Sequence, residues 1–206
     1  MNYENLDNVV SFLNSEPLLL APPYYDLRFV PVTAEGVTVQ NPVVNIKTSG
    51  ALYRGRSEII IIKDNMVYIN YDKTEKISSY KAGFGYNIPG GGWDMNEAHD
   101  ISAAREAREE VRINVKNVKF AGNYAVEYNY PLPWVAIHVP KNIQWLGYYT
   151  EVFVGEFDSK YTGKIADHDK DSMIKTGKFV PISKVYNKLN PVHKRAIDIY
   201  YANKQD

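Results

Sequence analysis

The sequence predicts an α/β domain behind an N-terminal extension, and three observations carry that expectation. Two β-rich runs, Glu58–Ile62 and Met66–Tyr71, are separated by Lys63-Asp64-Asn65 and read as a hairpin. A glycine-rich loop, Gly83–Gly92, leads into a helical pattern that ends near Val111. Strand-like runs follow at Val118–Tyr124, Val135–His138 and Tyr148–Phe157, so strands surround one well-marked helix.

Taken in order, Leu6, Val9, Val10 and Leu13 fall at i, i+3, i+4 and i+7, the spacing of a short amphipathic helix, which Pro17 ends. From Pro22 to Gly55 the pattern is irregular, with one strand expected at Val43–Ile46 among turn residues. Residues 1–54 are therefore read as an extension and residues 55–206 as the main domain. Past the strands, Lys160–Lys178 is polar without a clear period, and Val180–Leu189 suggests a short helical turn. Asn190-Pro191 supplies a cap and a first-turn proline for a closing helix to about Asn203.

Composition narrows the function classes. The 206 residues are 45% hydrophobic and 23% charged, close to the globular norm, so the chain can bury a core unaided. Lys plus Arg and Asp plus Glu both total 24, so no global field draws it toward nucleic acid or an anionic membrane. No cysteine is present, which removes disulfides, zinc ribbons, iron–sulfur clusters and thiol nucleophiles. The apolar run Leu18–Pro23 is far short of the roughly 18 residues that span a bilayer. A soluble, cytoplasmic protein is expected, with no membrane or nucleic-acid partner.

The chemistry is concentrated in GGGWDMNEAHDISAAREAREEVRI, residues 90–113. On a helix, Glu106, Glu109 and Glu110 stand at i, i+3 and i+4, so three carboxylates share one face. Like charges at that spacing cost a few tenths of a kcal/mol per pair, about 0.2–0.5, unless a cation sits among them. A hard divalent ion would serve: Mg²⁺, or Mn²⁺ in its place, takes oxygen ligands and shares them with substrate phosphates. Ala103, Ala104, Ala107 and Val111 form the opposing stripe, small enough to bring the helix close to a sheet. Arg105 lies four residues before Glu109 and can pair with it, and Gly90–Gly92 let backbone approach a ligand or metal closely.

An ordinary salt-laced surface helix also reads this way, but the spacing is more specific. Gly91, Glu97, Arg105, Glu106, Glu109 and Glu110 reproduce G-x5-E-x7-R-E-U-x-E-E-x-G-U, where U is bulky aliphatic, and this resembles the Nudix box. At common residue abundances such a match arises by chance about once in 10⁵ chains of this length. The box covers 23 residues, and the surroundings from about residue 55 to 203 are similar to the family's. Two positions depart from it: Ala107 replaces a larger aliphatic, and Arg112 stands where the family has glycine. Glycine there suits a left-handed residue, so either the helix exit differs or Asn114 takes over the turn.

The resemblance implies an α/β/α sandwich with a mixed sheet and hydrolysis of a nucleoside diphosphate linked to another moiety. By position, Glu106, Glu109 and Glu110 look like metal-binding carboxylates, with the Gly91 carbonyl completing a site and Glu97 an outer carboxylate. Arg105 looks like the residue that orients a glutamate. The base that takes the proton of water is a box glutamate, Glu106 or Glu109, or an acid of the Lys164–Lys175 loop, Asp167 or Asp169. Arg54 and Arg56 are candidates for phosphate contact. Tyr124, Tyr128, Tyr130 and Trp134 are candidates for stacking on a base, with sheet packing the competing role.

Substrates left open are nucleoside triphosphates, ADP-ribose and other nucleotide sugars, and dinucleoside polyphosphates. The extension is similar to that of ADP-ribose-type members, where it can help form a homodimer. Tyr130, 17 residues past the box, resembles the dinucleoside-polyphosphate pattern instead. A second reading is a Nudix-like module that senses a nucleotide without cleaving it; such modules usually lose box carboxylates, and this chain keeps them. Other motifs are absent: Gly83-x-Gly85 lacks the third glycine of a dinucleotide fingerprint, and His99, His138, His168 and His193 are scattered.

Overall fold

The structure is a computed structural model that describes residues 27–40, 43–46, 51–71, 86–128, 145–163 and 176–204. Among these, ten strands and two α-helices form one mixed sheet covered on both faces. The strands are β1 Leu27–Val30, β2 Val37–Gln40, β3 Val43–Ile46, β4 Ala51–Lys63, β5 Met66–Tyr71, β6 Tyr86–Asn87 and β7 Gly90–Gly92, then β8 Ile113–Tyr128, β9 Trp145–Lys160 and β10 Thr176–Val180. The helices are α1, His99–Val111, and α2, Pro191–Asn203. The helix expected at residues 6–13 and the strand expected at 135–138 lie outside the described residues.

β4 organises the sheet. It runs parallel to β9, from Leu52 beside Trp145 to Ile62 beside Glu156, and β9 continues antiparallel into β8 and then β1. Ile59, Ile60 and Ile61 are all fully buried, as expected of a central strand covered on both faces, where no polar alternation survives. Strand pleat sends Ile60 to one side, with Val126, Val152, Ala196 and Ile197 under α2. Ile59 and Ile61 go to the other, with Ala103, Ala107 and Phe153 under α1. The α/β/α sandwich follows directly from that division.

Several local signals act as the sequence predicts. The β4–β5 hairpin closes through Asp64 and Asn65, both at positive φ (49° and 59°), as a two-residue turn matching strand twist requires. Asn190 caps α2, its side chain accepting from the Val192 N–H at 3.2 Å. The helix α1 ends at Val111, and Arg112 itself takes the left-handed turn at φ 56° and ψ 44°. Asn114 does not take it over; it is paired within β8. Arg112 is held there by its amide N–H to the Ala107 and Arg108 carbonyls and by its side chain to the Gly163 carbonyl at 2.9 Å.

Three stretches differ from expectation. The glycine-rich loop expected at Gly83–Gly92 carries the short strands β6 and β7, paired with β5 and β4, because glycine lets the backbone lie close in the sheet. The irregular stretch before Gly55 carries β1, β2, β3 and the first part of β4, all hydrogen-bonded into the sheet. Strands of four residues show too few alternations to stand out from turns. The polar run to Lys178 likewise ends in β10, whose five residues pair with β5. No helix among the described residues is long and apolar enough to cross a membrane.

Candidate active site

The glycine strand β7 pairs with β4 at Arg56, Ser57 and Glu58, and α1 lies above it. Close approach is the reason for glycine at 91: a Cβ there would stand 2.2 Å from Glu106 Oε1. The Glu106 carboxylate therefore rests directly on the β7 backbone. One turn on, Glu110 Oε2 accepts from the Gly90 N–H at 3.1 Å. Ala103 and Ala107, fully buried against Ile59 and Ile61, set how near α1 comes to the sheet, and Ala104 is half-buried beside them.

Arg105 sits among the acids. Its guanidinium donates to Glu97 at 2.9 and 3.0 Å, to Glu106 at 3.0 Å and to Glu109 at 2.7 Å. It also donates to the Gly92 carbonyl at 3.0 Å, tying the helix to the glycine strand. The expected pairing with Glu109 is present, and Glu97 and Glu106 join it. The cation that relieves the crowded glutamates is thus, in part, supplied by the chain itself.

Electrostatics separates these acids. Burial raises Glu97, but hydrogen bonds and charge from Arg105 outweigh it and hold the carboxyl below its ordinary value. Glu106 goes the other way: burial and then the Glu110 charge push it up to about 7, with Glu109 adding and Arg105 opposing. Burial would lower Arg105, yet Glu97, Glu106 and Glu109 keep it firmly protonated. One arginine therefore does not neutralise the surplus negative charge at Glu106 and Glu110.

Among the described residues no three acidic or histidine side chains are arranged to hold a metal ion as they stand. The Arg105 guanidinium occupies the space between Glu97, Glu106 and Glu109. The donors available to a cation are Glu106, Glu110, Glu109 and the Gly91 carbonyl, all hard oxygens that suit Mg²⁺ or Mn²⁺.

The remaining predicted residues divide by place. Arg54 and Arg56 lie on the β4 face toward α2; Arg54 Nη2 lies against Gly92, and Arg56 Nη2 is 3.5 Å from the Gly90 carbonyl. Tyr124 is buried in the sheet core, where its ring packs and its hydroxyl donates to Glu58. Tyr130, Trp134, Asp167 and Asp169 lie outside the described residues.

Several contacts beside the site escaped the sequence reading. Trp93 stacks on His99 with ring centroids 3.6 Å apart and donates its indole N–H to Ser57 Oγ at 2.7 Å. His99 Nδ1 is 2.9 Å from Glu151 Oε2. These contacts fasten the loop between β7 and the start of α1. On the other face, Glu58 is fully buried with His193 and Arg56 beside it. A lone acid heading the run Ile59–Ile62 is the one signal that marks it in the sequence.

Comparison with known proteins points to one family. A family model described as NUDIX domain matches residues 49–200. Among solved structures the chain is similar to a NUDIX hydrolase from Nitrosomonas europaea, at 17% identity and TM-score 0.51 over 74% of this chain and 90% of that one. It is also similar to a pyrophosphohydrolase from Bacillus subtilis, at 14% identity and TM-score 0.50 over 87% and 89%. At these identities the likeness is one of fold. No curated protein matches the sequence.

Proposed function

The chain belongs to the NUDIX family of hydrolases, and from that premise we propose that it is a divalent-metal-dependent pyrophosphohydrolase. Its substrate is a nucleoside diphosphate linked to another moiety: a nucleoside triphosphate, ADP-ribose or another nucleotide sugar, or a dinucleoside polyphosphate. The observation that carries this reading is the seat of Glu106, pressed onto Gly91 with Glu110 beside it and more negative charge than Arg105 balances.

Glu106, Glu109, Glu110 and the Gly91 carbonyl are the groups that would hold Mg²⁺ or Mn²⁺, with Glu97 outside them. A cation held there supplies neutralisation of phosphoryl oxygens and a more acidic water. Arg105 orients Glu106 and Glu109 through its hydrogen bonds at 3.0 and 2.7 Å. One of those two takes the proton of the attacking water, with Asp167 or Asp169 the alternative base. Arg54 and Arg56, on the far side of the glycine strand, contact the phosphate chain, and Tyr130 contacts the base. The extension, residues 1–54, helps form a homodimer, which light scattering tests.

Incubating the protein with a panel of these compounds and Mg²⁺, and following phosphate-bond cleavage, tests the reading. Turnover of at least one class is expected, and its loss in Glu109→Gln/Glu110→Gln with the fold intact. Binding without turnover across the panel would favour a nucleotide sensor instead.

A further inference from the structure

Glu58 is an expensive residue to bury: it is 0% exposed, and a carboxylate withdrawn from water costs several kcal/mol unless its partners compensate. Strand pleat puts it on the same face as Arg56, two residues earlier, and Arg56 Nη2 stands 3.2 Å from its Oε1, an ion pair off hydrogen-bond alignment. Tyr124, on β8, donates its hydroxyl to Oε2 at 3.0 Å. His193, in the first turn of α2, brings Nδ1 to 3.2 Å from Oε1, close enough for charge attraction but off hydrogen-bond alignment. Burial would raise this carboxyl, yet the charges of His193 and Arg56 hold it below its ordinary value.

The arginine is fastened from several sides. Its guanidinium carbon lies 5.5 Å from the centre of the Tyr148 ring, and Nη2 reaches to 3.5 Å from the Gly90 carbonyl. Gly90 also gives its N–H to Glu110. A single residue thus separates the Arg56 guanidinium from the acidic helix. A polyanion at Glu106 and Glu110 would extend toward a cation already fixed in direction.

We infer that Glu58 is a positioning residue: it orients Arg56, at the glycine strand, to bind the phosphate chain of a nucleoside diphosphate. An arginine side chain loses about 2 kcal/mol of rotamer freedom when it is immobilised, and fixing it beforehand removes that cost from binding. Tyr124 acts one step further back, by holding the Glu58 carboxylate. The inference rests on the proposed function in placing the phosphates beside the acidic helix.

The test is the affinity for ADP, measured by calorimetry in the full chain. Glu58→Gln should weaken ADP binding about tenfold, part of the ordering cost that a prefixed Arg56 avoids, and Tyr124→Phe about threefold. In an Arg56→Met background, itself weaker than the wild type, both effects should vanish. Unchanged or tighter binding by Glu58→Gln overturns the inference. So does the same loss with and without Arg56, or an Arg56→Met affinity equal to that of the wild type. Should Glu58→Gln not fold, Tyr124→Phe carries the same comparison, because it keeps the ring packed. A wild type that binds ADP but cleaves no substrate sinks the hydrolase reading alone; one that does not bind ADP overturns the positioning role as well.

Discussion

The two faces of the glycine strand hold two buried glutamates that behave in opposite ways. Glu106, 8% exposed, is pushed up to about 7, whereas Glu58, 0% exposed, is held below its ordinary value. Burial alone ranks them wrongly. Company decides: Glu106 shares one arginine with Glu97 and Glu109 and has Glu110 beside it, while Glu58 has Arg56, His193 and the Tyr124 hydroxyl beside it and no second acid among these partners. The α1 face is thus short of positive charge and suited to an outside cation. The α2 face is balanced within the chain and suited to holding a side chain still.

The contrast breaks most readily at Arg105. Arg105→Met leaves Glu97, Glu106 and Glu109 without their shared cation, and removing one partner of a buried ion pair costs about 3–5 kcal/mol. Urea unfolding at pH 7.5 should show a loss of that size, shrinking at pH 5 as the carboxylates protonate. A loss under about 1 kcal/mol would mean that solvent, not Arg105, balances the cluster. Arg56→Met should cost less, since Glu58 keeps His193 and Tyr124.

A pH series sharpens the same point without mutation. Glu106 is raised from 4.5 to about 7, so between those values the folded chain binds a proton that the unfolded chain has released. Stability therefore falls as pH rises through this window, by up to on the order of 3 kcal/mol, in protein kept free of divalent metal. Glu106→Gln should flatten the slope, and added Mg²⁺ should restore stability at pH 7.5. A wild-type slope that survives in Glu106→Gln would assign the titration elsewhere. Glu58, whose carboxyl is lowered, contributes in the opposite sense and only at acid pH: its stabilisation is lost as pH falls below the ordinary carboxylate range.

Gly91→Ala addresses the seat rather than the charge. The new methyl would meet the Glu106 carboxylate, the far end of a side chain, so the carboxylate shifts against its Arg105 bond and the backbone stays. Turnover should fall about 100-fold, the scale of a misplacement near 1 Å, with thermal stability nearly unchanged. Full activity would show that Glu106 need not rest on the glycine strand.

What could be read beforehand follows from how local each cause is. The turn at Asp64-Asn65, the cap at Asn190 and the end of α1 at Val111 are written in a few adjacent residues, and they appear where expected. So does the Arg105–Glu109 pair, at helical spacing. The Glu58 network joins β4, β8 and α2 across 66 residues to Tyr124, and nothing in the run Glu58–Ile62 foretells which distant side chains arrive. The grip of Arg105 on Glu97 was likewise hidden, because it depends on how the loop between β7 and α1 folds back over Trp93 and His99.

The smallest effect concerns the helix exit, where the chain departs from its family's glycine. Arg112 holds φ 56°, a left-handed conformation that costs a non-glycine residue about 1–2 kcal/mol. Against that stand the extra freedom glycine gives the unfolded chain, about 0.4–1 kcal/mol, and the side-chain bond to the Gly163 carbonyl at 2.9 Å. That bond is exposed and is worth little in water. Arg112→Gly should therefore raise the unfolding midpoint slightly, by the equivalent of about 0.5 kcal/mol, and leave turnover alone. A clear destabilisation would mean that the Gly163 contact anchors the end of β9 to α1, and that the arginine is retained for packing the site's far edge.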